Sequence, residues 1–302
     1  MNNDKLYDVI IVGGSYSGLA AAMALGRALK DVLLIDSGIP CNRQTPFSHN
    51  FLTNDGKSPS KIAAIATRQV KKYKTVKFFN GHAASGTKTD KGFEIKTTSG
   101  ERFTAKKLIF ATGIKDILPN IDGLAECWGI SVLHCPYCHG YEIRNEVTGI
   151  LGNGENGYVF TSMISNWTNS LTLFTNGTST LTGDQLEQLE KHRVGLVEKE
   201  IERIEHFNGH LQHVSFKDGT HVSIKALYAP SLFEQHCHIP ESLGCELTEE
   251  GYIKTDAFQE TTVKGVFACG DNVTSMRTVA NAVAMGTLAG MALSKKMIIE
   301  SF

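Results

Sequence analysis

The sequence predicts an α/β protein made of two dinucleotide-binding domains, each with a central parallel sheet and a small antiparallel β-meander. Three observations predict this. An apolar run near the start ends in a glycine-rich turn that opens a helix-forming stretch, the same succession returns in the second half of the chain, and each copy is followed by a segment of alternating polarity broken by a turn. Continuous apolar runs suit strands covered on both faces, as in parallel sheets, and self-similarity at this scale marks a repeated supersecondary unit.

In the first copy the run Tyr7 to Val12 meets Gly13-Gly14-Ser15-Tyr16-Ser17-Gly18, a helix is expected over Leu19 to Leu29, and a second strand, Val32 to Ile35, ends in Asp36 and Ser37. This is the order that a Rossmann-like unit needs. Gly13 permits the tight turn, Gly18 lets helix and strand approach closely, and the helix start offers free N–H groups to a pyrophosphate. Asp36 lies eighteen residues past Gly18, placed to accept hydrogen bonds from ribose hydroxyls, and the middle glycine position of the motif is Ser15. Phe93 to Thr98 alternates, turns at Ser99-Gly100 and returns through Phe103 to the strand Leu108-Ile109-Phe110, which ends in Ala111-Thr112-Gly113.

The second copy runs from Val147 to Leu151 into Gly152-Asn153-Gly154-Glu155-Asn156-Gly157, then a helical stretch and the strand Leu171 to Phe174. A hairpin around Lys217-Asp218-Gly219 and the strand Ala226-Leu227-Tyr228 follow. Where the first copy has Asp36 this one has Thr175, followed by Asn176-Gly177-Thr178, with neither an acid for the ribose of NADH nor an arginine for the extra phosphate of NADPH. A scaffold domain and a working nucleotide site both remain open for it, and NADPH is a doubtful cofactor.

At 302 residues, 41% hydrophobic and 20% charged, the chain has the make-up of a globular protein of about two domains at roughly 150 residues each. Thirty basic residues against 31 acidic ones leave a formal charge of -1, without the footprint that nucleic acid or an anionic membrane requires. Small molecules or proteins are the expected partners, not nucleic acid or membrane. The polar start, Met1 to Tyr7, has no signal-peptide core, and seven cysteines are few and odd in number for a disulfide scaffold. A cytoplasmic location is expected.

Between the copies stands His134-Cys135-Pro136-Tyr137-Cys138-His139-Gly140. The spacing of Cys135 and Cys138 allows a reversible disulfide at a helix start, where proline is well tolerated and the helix N-terminus favours the reactive thiolate. His134 and His139 are candidates to move its protons near neutral pH. A c-type haem attachment, a zinc site, a buried structural pair and coincidence are the competing readings. Haem attachment belongs with export, and ligands within six successive residues cannot easily surround zinc tetrahedrally, so no metal site is assigned. Near the end, Gly265 to Asp271 reads as a strand closing in Gly270-Asp271, ahead of a small-residue helix from Val279 to Leu293. Asp271 is a candidate for a ribityl hydroxyl. His236-Cys237-His238 is expected to be a surface loop, and Cys41, Cys127, Cys245 and Cys269 to be packed small hydrophobes.

With Gly13 to Gly18, Asp36, Ala111 to Gly113, Cys135 to Cys138 and Gly265 to Asp271 in this order, the chain resembles low-molecular-weight thioredoxin reductases over essentially its whole length. The resemblance implies an FAD domain from residues 1–117 and 244–302, an inserted domain over 118–243 that carries the cysteines, and a homodimer. It also implies Cys138 as the thiol facing the flavin, Cys135 as the one exchanging with substrate, and FAD contacts from Gly270, Asp271 and Arg277-Thr278-Val279-Ala280. Thr278 and His139 depart from the reductase pattern, which has Gln and an acid there, and the arginine-rich NADPH segment is missing. His134 through Glu142 is more similar to the branch of gliotoxin- and holomycin-type dithiol oxidases, as are Ser48 to Thr53 and Asn42, which matches an asparagine associated with proton relay near the flavin. The expected function is an FAD-dependent thiol/disulfide oxidoreductase. An oxygen-dependent dithiol oxidase, an NADPH-dependent thioredoxin reductase and a flavin-binding redox sensor stand as its alternatives, and the partner is a small dithiol or disulfide or a thioredoxin-like protein.

Overall fold

The computed structural model describes residues 5–302, so Met1 to Asp4 of the polar start lie outside the described residues. The chain divides into two compact units, Met1–Arg43 with Asn50–Lys115 and Phe233–Phe302, and Gln44–His49 with Asp116–Leu232. Residues 233–243 thus fold with the first unit, ahead of the return expected at 244. The reason is local: Ile239 is buried in the first unit's core, with Cys237 and Leu243 packed against the same cluster.

The first unit is built on a seven-stranded sheet in which Val76–Asn80, Val32–Asp36, Leu6–Val12 and Arg102–Phe110 lie side by side, all parallel. Arg102–Phe110 is long enough to serve two partners on its other side. Its beginning pairs antiparallel with Gly92–Thr97, which continues to Ala83–Thr89, and its end pairs parallel with Val266–Ala268. Val12, Phe110 and Ala268 fall in register. The turns that follow these three strands therefore emerge at one end of the sheet, where ligands of open α/β sheets bind.

The apolar runs are continuous because both faces are covered. Ile10, Val12, Leu33, Ile35, Leu108 and Phe110 pack toward the meander residues Phe93, Ile95 and Phe103. Val9, Ile11, Leu34 and Ile109 pack toward Leu19, Ala22, Leu25 and Leu293 of the helices Tyr16–Arg27 and Val279–Ser301. Burying side chains of this size contributes roughly 1.5–3 kcal/mol each. The last helix is long and apolar enough to span a membrane, with a mean hydropathy of 1.3 in its best window. Here its small residues lie on the first helix instead: a Cβ at Gly286 would come within 2.0 Å of the Ser17 carbonyl oxygen. The helix Pro59–Val70, which sequence patterning passed over, begins at Ser58, whose side chain accepts from the Lys61 N–H.

In the second unit Gly195–Val197, Leu171–Phe174, Thr148–Leu151, Ala226–Tyr228 and Val132–Leu133 form an all-parallel sheet. Beside it Ile201–Phe207, His210–Phe216 and His221–Ser223 make the antiparallel meander. The two-domain α/β architecture expected from the repeat is the one observed.

Candidate active site

In the first unit the glycine turn is shaped by contacts that a side chain would destroy. Gly13 has φ +101°, and a Cβ there would sit 2.3 Å from the Ala111 carbonyl oxygen. Ser15 needs no glycine, because it is the extended N-cap residue of helix Tyr16–Arg27, with φ -83°. Its hydroxyl makes no cap hydrogen bond, which leaves the first-turn N–H groups directed outward. Asp36 is fixed by two backbone donors, Gly14 N–H at 2.9 Å and Gly38 N–H at 3.2 Å, and Ser37 beside it is exposed. Asn42 donates to the Tyr16 hydroxyl at 3.2 Å, and the hydroxyl reaches the Pro59 carbonyl at 3.4 Å. Burial raises the Tyr16 pKa, so this phenol is a neutral hydrogen-bonding group near pH 7.

The other strand ends join this group. Ala111 is buried, Thr112 and Gly113 are half-buried, and Gly270 turns with φ +90° against Ser17. Asp271 lies 3.9 Å from the Arg277 guanidinium, and Thr278 caps the helix that starts with Val279 and Ala280 by accepting from Asn281 N–H. The structure thus brings Gly13 to Gly18, Asp36, Asn42, Ala111 to Gly113, and Gly270 and Asp271 to one end of one sheet. A residue that the sequence reading missed holds the closing turn. Asn272 is fully buried and donates to the carbonyl of Phe110 at 3.0 Å, which ties the turn to the neighbouring strand.

In the second unit the buried strand Val132–Leu133 delivers His134 and Cys135. Pro136–His139 is a single helical turn with Cys135 as its N-cap and proline at its start. Cys135 and Cys138 are joined in a disulfide with their Cα atoms 5.3 Å apart. The ring of His134 stacks on Trp128 with centroids 5.5 Å apart, and Tyr137 meets Trp167 edge-on. Gly140 makes room for that indole, since a Cβ there would lie 2.8 Å from Trp167 Nε1.

Burial, assisted by the nearby His49, pushes the His139 pKa down to about 4. At neutral pH this imidazole is therefore an acceptor of protons and not a donor, which narrows the role expected for it from the sequence. His49 and Glu142 were missed as site residues, although both stand in segments that the resemblance singled out. His49 Nδ1 is 3.5 Å from Glu142 Oε1.

The second glycine turn is closed on itself. Asn153 caps the helix Gly154–Ile164, and its Oδ1 accepts from Gly154 N–H at 2.8 Å, from Thr180 N–H at 2.8 Å and from the Thr180 hydroxyl at 3.1 Å. Its Nδ2 donates to the Thr178 carbonyl at 2.9 Å. The loop after Phe174 is thereby pinned to the helix start that would receive a pyrophosphate, and Thr175 turns inward, buried, with its hydroxyl bonded to the Gly177 carbonyl at 2.6 Å.

Of the remaining cysteines, Cys127, Cys245 and Cys269 are buried, whereas Cys41 is exposed and corrects the expectation that all four are packed. It sits in the turn after Pro40, clear of the core strands. His236-Cys237-His238 is a loop, and no cluster of three metal-ligating side chains occurs among the described residues.

Residues 7–286 match the family model of the pyridine nucleotide-disulphide oxidoreductases, so the chain belongs to that family. Within it, the chain is a thioredoxin reductase-like, flavin-dependent oxidoreductase. It is 31% identical over 99% of its length to the thioredoxin reductase tcpT of Claviceps purpurea, 97% of which is covered. Among solved structures, an oxidoreductase from Agrobacterium tumefaciens is 37% identical with a TM-score of 0.91, covering 98% of this chain and 99% of that one. HlmI is 29% identical with a TM-score of 0.93, covering 100% of this chain and 95% of its own. The tcpT relative and HlmI agree with the resemblance to the gliotoxin- and holomycin-type branch.

FAD is the flavin this family implies, and the first unit fits it. The cradle at Gly13 would be filled by a Cβ, the helix start is uncapped by any side chain, and Asp36 presents a fixed carboxylate at the position suited to a ribose. At the second turn Asn153 accepts from the Gly154 N–H, and Thr175 stands where the first turn has Asp36.

Proposed function

We propose that this chain oxidises small dithiols through Cys135 and Cys138, holds FAD in its first unit, and uses oxygen as the final electron acceptor in place of a nicotinamide dinucleotide. The observation that carries this reading is the Asn153 clamp. It ties the loop residues Thr178 and Thr180 to the second helix start and takes the Gly154 N–H there, and no acid or arginine stands at Thr175 to recognise NADH or NADPH. Bound FAD supplies a two-electron acceptor.

The protein's residues supply the thiol chemistry. A substrate thiolate attacks Cys135 Sγ, the S–S bond breaks and Cys138 leaves as thiolate; the second substrate thiol then displaces Cys135, and substrate departs as a disulfide with both cysteines reduced. His139, neutral at pH 7, takes a proton during this exchange, and His134 is held in place by its stack on Trp128. Asn42 and Tyr16 form the hydrogen-bonded pair proposed to move a proton beside the flavin. Gly14, Ser17, Thr112, Arg277, Thr278, Val279 and Ala280 complete the proposed FAD contacts. A homodimer located in the cytoplasm belongs to the same proposal.

Anaerobic mixing of the purified yellow protein tests it. Bleaching by a dithiol with recovery in air is the expected result, and Cys138→Ser should abolish the bleaching. Bleaching by NADPH instead would make the protein a reductase, and bleaching by neither would make it a sensor.

A further inference from the structure

The turn that follows the strand Val266–Ala268 is joined to its neighbour by one buried side chain. Asn272 Nδ2 donates to the Phe110 carbonyl at 3.0 Å and, in a longer contact, to the Thr112 hydroxyl at 3.4 Å. The Phe110 carbonyl also accepts from the Cys269 N–H at 3.0 Å, so donors from both sides of Gly270 converge on one oxygen. The main chain of Asn272 is fixed as well: its carbonyl accepts from Gln235 Nε2 at 3.0 Å and from the Ile253 N–H at 2.9 Å. The amide's Oδ1 is buried without a hydrogen-bond partner. A carbonyl oxygen at the contact admits only the donor end of an amide, which fixes the orientation of the side chain. An apolar side chain of similar size would bury here without stranding an acceptor, so the donor is what this position supplies.

We propose that Asn272 is a positioning residue of the flavin site, whose amide donor sets the Gly270-Asp271 turn against the Ala111-Thr112-Gly113 turn so that Asp271 and the Thr112 hydroxyl receive FAD together. The inference rests on the function proposed above, in which both residues are FAD contacts. Thr112 and Asn272 are 160 residues apart in sequence, and the hydrogen bonds of this one amide join the two strand ends that carry those contacts. Thr112 and Asp271 are half-buried, whereas the side chain that joins their turns is closed to solvent, which keeps water from competing for its hydrogen bonds. By accepting from Asn272, the Thr112 oxygen leaves its own proton for an acceptor on the bound group.

Titration of full-length apoprotein with FAD, followed by flavin fluorescence, tests this without any turnover. Asn272→Leu removes the donor and should weaken FAD binding by about tenfold at any pH. Asn272→Asp supplies the discriminating arm, because a protonated carboxyl can donate to the Phe110 carbonyl and a carboxylate cannot. Burial raises the pKa of such a carboxyl. Relative to wild type at the same pH, this variant should therefore bind FAD nearly as tightly at about pH 5 and about tenfold more weakly at about pH 9. Rescue at low pH is not expected of a residue that merely fills space. Unchanged FAD affinity in a folded Asn272→Leu, or an Asn272→Asp ratio that is flat with pH, overturns the proposal; the Asn272→Asp profile decides alone if Asn272→Leu fails to fold. A wild type that binds no FAD sinks the flavin reading and this inference with it, whereas a wild type that binds FAD no better than the variants do sinks only the role of Asn272.

Discussion

The two glycine turns begin from the same pattern and end with opposite chemistry. In the first, Ser15 caps nothing with its side chain, and Asp36 is held outward by Gly14 and Gly38. In the second, Asn153 spends its whole amide on the helix start and the neighbouring loop, and Thr175 turns into the interior. A nucleotide site is kept open by leaving hydrogen-bonding groups of a helix start unsatisfied within the protein, which costs stability that the ligand restores. On the function proposed above, closing the second turn recovers that stability for the scaffold and gives up the ligand.

The sharpest way to break this comparison is to fill each turn. Gly13→Ala forces a Cβ onto the Ala111 carbonyl at a positive φ, and should cost at least about 3 kcal/mol and yield colourless protein. Gly152→Ala, whose Cβ would meet Gly157 at 2.9 Å, should destabilise the second unit yet leave flavin bound. Absorbance of the purified variants and their melting curves check both. If Gly152→Ala also lost flavin, the two turns would not be independent.

A pH effect is expected in the second unit. The folded pKa of His139, about 4, lies below the ordinary 6.5, so between these values the unfolded chain binds a proton that the folded one refuses. Stability should therefore fall as pH drops from 6.5 toward 4, by at most about 1.4 kcal/mol per pH unit, and His139→Asn should flatten the slope in chemical denaturation. Smaller again, Asp36→Ala should weaken FAD retention by roughly ten- to a hundredfold, read by dialysis against apoprotein, through loss of a charged acceptor.

The smallest pair of effects is the most direct test of the capping difference. Asn153→Ala should cost about 1 kcal/mol in unfolding of the second unit, whereas Ser15→Ala should lie within about 0.5 kcal/mol of wild type. Equal costs would mean that the first helix start is capped after all.

Much of this was legible in the chain itself. Glycine at 13 and 18, the acid at 36 and the Cys-x-x-Cys spacing carry their own stereochemistry and reactivity, and apolar runs without alternation announce strands covered on both faces. Short-range chemistry of this kind depends on neighbours a few residues away, so sequence alone determined the repeated fold, the flavin cradle and the redox couple. Tertiary structure alone decided the rest. Asn153 looks like any turn residue until the fold brings Thr178 and Thr180 against it, and His49 looks like a loop histidine until the 44–49 segment docks beside Glu142. Ile239 likewise belongs to the first unit only because its buried side chain finds that core. In each case the deciding partner is distant in sequence, and hydrogen bonds, charge interactions and burial depend on distance through space, which no spacing along the chain encodes.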